Sequence, residues 1–312
     1  IMASKVLDEV RTAIGNAKDV VTEKSKEVLD VGKDGTIDIQ DIIKLAIKTP
    51  GVHIDREAFL KKEFFKNYPQ EVIQDAIDRT PALAGIPADE LDKIADEVIK
   101  FERNCVSGIS AALGMPGGAA MVVTASADII QYYGYTLRAV QKLLYLYGFP
   151  ELESEGEEVS LDSETTNRII LCLGVMNGVA GANNAVKAVA NALAKGVEKK
   201  LLAAALTKGA FYPMLKSTLK WFGVSLTKEV FAKTVKSAIP VVGGLVGGGI
   251  TVLSFKPCCI RLQNVLRDTM LSNPEHVSSA AEETVLNDII AGTVFDAEYE
   301  DIVEGSSDSE EE

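Results

Sequence analysis

The stretch that decides the fold reads GMPGGAAMVVTASADIIQYYGYTLRAVQKLLYLYGFP and spans Gly114–Pro150. Its first half consists of small and apolar residues with one acid, Asp128, and its second half is rich in tyrosine and leucine. Alanine and leucine favour helix over sheet, and the chain has no strong run of residues alternating with period two. The stretch therefore predicts a helix at Thr124–Gly148 within an all-α protein.

The charge of the chain excludes nucleic acid as its main partner. The 312 residues, which suffice for a sizeable core, carry a net charge of −13. Binding to phosphate backbones requires clustered lysine and arginine, so an acidic chain is unsuited to that role as a whole.

The cysteines and the first residues indicate an intracellular, cytoplasmic protein. Cys105, Cys172 and the adjacent pair Cys258 and Cys259 show no CxxC spacing, so we expect reduced thiols. The opening IMASKVLDEV has acids in its first turns and no apolar core segment. It therefore predicts neither a secretory signal nor an anchor.

One loop near the beginning follows the spacing of a calcium-binding loop. After an amphipathic helix at 3–29, residues 30–41 read DVGKDGTIDIQD, with Gly35 at the position of the sharp turn. The ligands would be Asp30, Asp34, Thr36 through its backbone oxygen, Asp38 and Asp41. Gly32 offers no side chain at the third position, and the final Asp41 is shorter than the usual glutamate. The loop also resembles those of dockerin modules, although a dockerin has two. The alternative is a solvated turn between two helices.

Asp, Pro and Gly residues mark further helix ends. Asp55 predicts an N-cap, and Pro87 predicts the start of a long helix. The helix after Asp55 would carry three residues on its apolar side: Phe59, Phe64 and Phe65. Pro257 predicts a break before a separate helix at 258–271.

Three runs without charge, 104–127, 169–186 and 237–255, reach the length that could cross a bilayer as a helix. Their glycines, asparagines and prolines argue instead for central helices of a packed bundle, with membrane-inserting hairpins and permanent spans as alternatives. Small residues four apart let two helix backbones approach closely. These pairs are Gly174 with Gly178, Gly243 with Gly247, and Gly244 with Gly248.

Composition also divides the chain into regions. We predict an N-terminal helix–loop–helix region at 1–85 and a helical domain at 86–291. Within that domain, an acidic and turn-rich stretch at about 149–166 predicts an exposed linker. The end of the chain, 292–312, contains nine acids and predicts a disordered acidic tail.

The charge reverses between Lys187 and Lys236, where ten lysines stand against two acids for a net charge of +8. We call residues 187–236 the lysine-rich segment. Lysines on one helical face beside aromatic residues suit a helix that lies on anionic lipid. The residues in question are Lys208, Lys216, Lys220, Trp221 and Phe222. The alternatives are a solvated face of a bundle helix and a docking site for the acidic tail.

Catalytic signatures are absent from the sequence. It contains no GxSxG, HExxH or Walker motif, and neither of its two histidines has a metal partner visible in the sequence. Asp128 is the one acid that could be buried, with Gln131 and Tyr132 as hydrogen-bonding neighbours. We expect these residues to be structural, because general acid catalysis would need a second titratable group.

Four segments carry a resemblance to a known family: GMPGGAA at 114–120, the helix at 124–148, GVMNGVAGANNA at 174–185 and AIPVVGGLVGGGITVLSFKP at 238–257. Through them the chain, over about 89–271, resembles the EcsC family. The resemblance implies an α-helical, intracellular domain compatible with membrane association. The family has no established activity and offers no catalytic residues to carry over.

Three hypotheses follow. The first is a non-enzymatic, peripheral membrane protein that binds anionic lipid through the lysine-rich segment. The second is a soluble scaffold that binds a protein partner under the influence of calcium at loop 30–41. The third is an enzyme that uses Asp128 in an unknown reaction.

Overall fold

The computed structural model describes residues 51–113, 120–152, 163–197 and 243–291, together with 43, 46, 47, 49, 154–155, 160–161 and 218. For 107–113, 120–131, 154–155, 160–161, 163–164 and 243–254, it describes the backbone alone. The predicted helix at 3–29, the loop at 30–41, most of the lysine-rich segment and the acidic tail lie outside the described residues.

The described chain is helical, which confirms the predicted all-α fold. Its helices are α1 Arg56–Phe64, α2 Gln70–Asp78, α3 Ala88–Leu113, α4 Ala120–Leu146, α5 Ser163–Met176, α6 Ala182–Ala194, α7 Gly243–Arg267 and α8 at 280–291. A two-residue antiparallel pair, β1 Ser154–Glu155 and β2 Ser160–Leu161, lies between α4 and α5. It places Ser154 opposite Leu161 and Glu155 opposite Ser160.

Helix α7 is the central helix of the bundle. It packs against α3 most extensively and also against α5, α4 and α6. Its side chains Phe255, Cys259, Leu262 and Leu266 are fully buried. The described part of the uncharged run 237–255, which begins at Gly243, therefore forms the first half of a central helix, as the sequence predicted for the bundle. Among the residues that the structure describes, no helix has both the length and the apolar character needed to cross a membrane.

Helix α7 runs through Pro257, so the predicted break at that residue is wrong. A proline inside a helix removes one backbone hydrogen bond and crowds the preceding turn. Here the ring lies on the exposed side of the helix, while the neighbouring Phe255 and Cys259 are buried. We attribute the continuity to this packing, which outweighs the local breaker.

The second half of α4 forms much of the core. Leu143, Leu144, Tyr145 and Leu146 are each fully buried. The helix ends at Leu146, and the turn after it contains Gly148, whose φ of +89° favours glycine. A Cβ added there would lie 2.9 Å from the Leu271 carbonyl oxygen and from Thr80 Cβ, so the chain turns where no side chain would fit.

The predicted exposed linker at 149–166 is wrong at both of its ends. Phe149 and Leu152 are buried after α4, and Thr165 and Thr166 are buried in the first turn of α5. The fully buried Arg168 donates from Nη1 to the Pro150 carbonyl oxygen at 3.4 Å. The acidic composition of the middle of the stretch hid these packed ends.

Helix α1 begins as predicted, because the Asp55 carboxylate accepts a hydrogen bond from the Ala58 amide at 2.6 Å. Phe59 and Phe64 are buried, but Phe65 is 63% exposed, so its placement on the apolar side is wrong. Successive helical residues are about 100° apart around the axis. Phe65 follows the buried Phe64 directly, so its side chain points away from the buried side of the helix.

A buried arginine joins the first helices to the rest of the bundle. Arg56 donates from Nε to the Phe149 carbonyl oxygen at 3.1 Å and from Nη1 to the Ile77 carbonyl oxygen at 2.7 Å. Burial lowers the pKa of this guanidinium, although acidic groups nearby oppose the shift. One continuous core contains residues of α1, α2 and all later helices. The predicted boundary at 85/86 therefore does not separate two cores.

Candidate functional site

Only some of the site residues predicted from the sequence are among the residues that the structure describes. The five ligands of loop 30–41 and the five residues of the predicted lipid-binding face, at 208, 216 and 220–222, lie outside the described residues. Asp128 and Gln131 lie in α4, where only the backbone is described at those positions. Tyr132 is half-buried, and its ring contacts Tyr133 and Phe255 edge to face at 5.5 and 6.3 Å between centroids.

The glycines predicted for helix packing differ in how closely other atoms approach their backbone. At Gly174 in α5, a Cβ would lie 3.2 Å from Ala182 Cβ and 2.8 Å from Thr218 Oγ1, so the backbone is closely approached. Gly178 instead lies exposed in the turn after α5 with a φ of +73°, and a Cβ would meet nothing within 4 Å. It shapes the turn rather than a helix contact, which corrects the prediction for Gly178. Four others lie in α7, with only their backbone described: Gly243, Gly244, Gly247 and Gly248.

A first buried ion cluster joins α3 to α4. The Glu102 carboxylate is fully buried, and it accepts from Arg138 Nε at 3.1 Å and from Lys142 Nζ at 2.5 Å. Arg138 and Lys142 occupy neighbouring turns of one face of α4, as their spacing of four residues requires. Lys142 Nζ also lies 5.3 Å from the centre of the Phe101 ring, within the range of a cation–π interaction.

One carboxylate faces two cations in this cluster, so the site has an excess of positive charge. Burial lowers the pKa of the Lys142 ammonium, and the Glu102 carboxylate opposes that shift. The side chains of Arg138 and Lys142 are 19% and 11% exposed. The removal of Glu102 would therefore leave two largely desolvated cations without their counter-charge.

The same face of α4 holds the segment that precedes α1. Arg138 Nη1 donates to the Gly51 carbonyl oxygen. Gln141 Nε2 donates to the Val52 carbonyl oxygen at 2.9 Å, and Gln141 Oε1 accepts from the Ile54 amide at 3.0 Å. These contacts couple residues 51–54, just before α1, to the core.

A second ion cluster joins α6, the turn after α7 and the beginning of α8. We call it the C-terminal cluster, and it consists of Lys187, Asp268, His276 and Glu282. Lys187 Nζ contacts the Asp268 carboxylate and lies 3.7 Å from Glu282 Oε1. The His276 ring lies between the carboxylates, with Nδ1 3.0 Å from Asp268 Oδ1 and Nε2 2.8 Å from Glu282 Oε2.

Three members of the C-terminal cluster are largely buried. The side chains of His276 and Glu282 are 7% and 6% exposed, and that of Lys187 is 16% exposed. Asp268 is 55% exposed, and its hydrogen bond with Lys187, supported by His276, holds the pKa of its carboxyl below the usual value. The cluster therefore keeps α8 on the bundle by charged contacts as well as by apolar packing.

The beginning of α8 orients Glu282. The Ser279 hydroxyl donates to Glu282 Oε1 at 3.1 Å, and the Glu282 amide donates to Ser279 Oγ at 3.3 Å. This serine followed three residues later by glutamate matches a capping motif. Beside it, Asn191 Nδ2 on α6 donates to Ser278 Oγ at 2.7 Å.

All four cysteines are free thiols, as predicted. Complete burial raises the pKa of Cys172 to about 12, and burial also raises the pKa of Cys259. Cys105 and Cys258 are half-buried, and burial raises the pKa of each thiol. Since the thiolate is the reactive form, these shifts lower the reactivity of the thiols in the folded protein.

The described residues offer ion pairs rather than a metal centre. In the part of the chain that the structure covers, no group of three or more His, Cys, Asp and Glu side chains is placed to hold a metal ion. The carboxylates of both clusters are paired with cations. The two clusters therefore join helices through charged contacts.

No family model, curated protein or solved structure matches the chain. The resemblance to the EcsC family therefore stays a prediction made on the four sequence segments.

Proposed function

We propose that this protein is a non-enzymatic helical protein that attaches to anionic membrane surfaces through the lysine-rich segment. The observation that carries the proposal is the charge of that segment: ten lysines stand against two acids within a chain of net charge −13. Anionic lipid attracts such a segment by about 1 kcal/mol for each lysine near the surface. Trp221 and Phe222 add side chains that suit the membrane interface.

The described contacts refine which lysines are available to lipid. Lys187 is already paired with Asp268 and Glu282, so its charge is largely neutralised within the protein. Nine lysines then remain in the segment, among them the exposed Lys195 at the end of α6. We expect the lipid-binding charge to begin after Lys187.

The first described part of the segment is fixed to the bundle. On its part of α6, Ala188, Val189, Ala190 and Ala192 are buried, and the helix packs against α5 and α7. A membrane that binds the segment would therefore hold the whole bundle at its surface.

The test uses the full chain and vesicles of phosphatidylcholine with or without phosphatidylserine. Replacement of Lys208, Lys216 and Lys220 by alanine removes three charges, or about 3 kcal/mol of attraction. We expect the partition coefficient to anionic vesicles to fall about a hundredfold. Sedimentation of the vesicles with their bound protein measures this coefficient.

A control variant shows whether the loss of vesicle binding is specific to the lysine-rich segment. Lys62, Lys66 and Lys100 are exposed lysines on α1, just after it, and on α3. Their replacement by alanine changes the net charge by the same amount but leaves the lysine-rich segment intact. The proposal predicts nearly normal binding by this control, and an equal loss in both variants would overturn it.

A second candidate function is a scaffold whose partner binding depends on calcium. The observation in its favour is the spacing of the acids in loop 30–41, with Gly35 at the turn. The hydrogen bonds of Gly51, Val52 and Ile54 with α4 supply a route by which an ordered loop region could act on the bundle. A rise in the melting temperature on addition of millimolar calcium tests this candidate.

A further inference from the structure

The two ring nitrogens of His276 each face a carboxylate oxygen. Nδ1 lies 3.0 Å from Asp268 and Nε2 lies 2.8 Å from Glu282. A neutral imidazole has one N–H donor and one lone pair, whereas an imidazolium has two N–H donors. Since an ionised carboxylate only accepts hydrogen bonds, both contacts are satisfied together only when the ring carries its second proton.

The charges around the ring come from three parts of the fold. Lys187 contributes a cation from α6, Asp268 a carboxylate from the turn after α7, and Glu282 a carboxylate from α8. With the ring protonated, two cations balance two carboxylates. When the ring loses a proton, the cluster has a net negative charge and one carboxylate faces a lone pair.

We propose that His276 is a proton-operated latch that holds α8 on the bundle when its ring is charged and loosens α8 when the ring becomes neutral. Histidine is the side chain that ordinarily changes charge between about pH 5 and pH 8. The latch is therefore closed while both ring nitrogens carry protons and weakened once one of them has lost its proton.

Helix α8 is suited to such control because it has little stability of its own. It contains the twelve residues 280–291, a length at which isolated helices are marginal in water. Its apolar side chains Leu286 and Ile289 are buried in the core. When the latch opens, the helix exposes the side that carries Leu286 and Ile289.

Hydrogen exchange of the full chain tests the latch without any membrane, so its outcome is independent of the proposed lipid binding. The exchange rates of α8 amides are compared at pH 5.5 and pH 8.0 after correction for the intrinsic pH dependence of exchange. We expect the protection of α8 to fall about tenfold at the higher pH, as the charged hydrogen bonds are weakened. Protection of α3 and α4 changes much less.

The chain contains only two histidines, which supplies a matched control. His53→Gln alters the other one, whose side chain is 45% exposed and lies 3.8 Å from Glu151. This variant keeps the pH-dependent change in α8, whereas His276→Gln removes it. Equal protection of α8 at both pH values in the parent protein would overturn the proposal, as would loss of the change in His53→Gln.

A spectroscopic measurement covers the case in which His276→Gln does not fold. In the parent protein labelled with ¹⁵N, the latch predicts that both ring nitrogens of His276 carry protons at pH 5.5 and that one loses its proton as the α8 amides become less protected. A ring that stays neutral at pH 5.5, or one that titrates without any change in α8, would contradict the latch.

Discussion

Replacement of Glu102 by glutamine removes the counter-charge of the buried cluster between α3 and α4 while it preserves the shape of the side chain. The parent carboxylate is fully buried and accepts from Arg138 at 3.1 Å and from Lys142 at 2.5 Å. In the variant, a neutral amide faces two cations. We expect a marked loss of the free energy of unfolding.

The structure sets the size of that loss. Removal of one member of a buried ion pair costs about 3–5 kcal/mol, because the other charge is left buried without compensation. Arg138 keeps its bond to the Gly51 carbonyl oxygen and some contact with water, so we expect about 3 kcal/mol. For a domain of this size, that corresponds to a fall of roughly 6–12 °C in the melting temperature.

Denaturant unfolding monitored by circular dichroism measures the change, and Glu97→Gln is the control. Glu97 lies on the same helix, is 74% exposed and lies 3.4 Å from Lys100. Its replacement should alter stability by less than about 0.5 kcal/mol. The additional change Lys142→Met should restore part of the stability of Glu102→Gln. Equal stability of the two single variants would refute the account of the cluster.

The pH dependence of the free energy of unfolding gives a second test of the Glu102 cluster, and the direction of the change can be worked out. Burial lowers the pKa of Lys142 in the folded protein, and Glu102 opposes this shift. Between the lowered folded pKa and the unfolded pKa, the unfolded chain binds more protons, so stability rises with pH. Loss of Glu102 lowers the folded pKa further. The penalty of Glu102→Gln should therefore shrink as the pH rises from 7 towards 10, and a penalty that grows would contradict this reasoning.

Three further predictions concern the turn glycines, the loop and the thiols. Gly148→Ala should destabilise the protein by more than Gly178→Ala, since both have positive φ but only the first would place Cβ 2.9 Å from a backbone carbonyl; equal melting temperatures would contradict this. Millimolar calcium should raise the melting temperature of the parent, and Asp30→Ala with Asp34→Ala should abolish the rise; a parent without any calcium effect excludes the scaffold hypothesis. Cys172 should react with a thiol reagent only after unfolding, because it is buried with a pKa of about 12, and early labelling detected by mass spectrometry would contradict its placement.

The sequence predicted the helices that have strong local ends. Asp55 caps α1 and Pro87 precedes α3, as the residue types at helix starts indicate. Local signals failed where tertiary packing prevails. Pro257 lies within α7, where its ring is exposed while Phe255 and Cys259, two residues away on either side, are buried. Sequence spacing does not show which side of a helix will be covered.

The ion clusters were less accessible to sequence reasoning because their members come from distant parts of the chain. Glu102 is 36 residues from Arg138 and 40 from Lys142, so no motif links them. The only local signal was a pair of cations four residues apart in an apolar stretch. For the C-terminal cluster, the serine–glutamate capping motif at Ser279 and Glu282 was a readable signal, but it did not identify His276 as a partner.

The central claim is tested most directly by the partition of the unmodified full chain between buffer and vesicles. Vesicles of phosphatidylcholine alone are compared with vesicles that contain phosphatidylserine, each at low and high salt. The account predicts binding that requires the anionic lipid and weakens as salt screens the lysine charges. If the protein stays in the buffer with both kinds of vesicle at every salt concentration, the lysine-rich segment does not bind membranes and the proposed function is wrong.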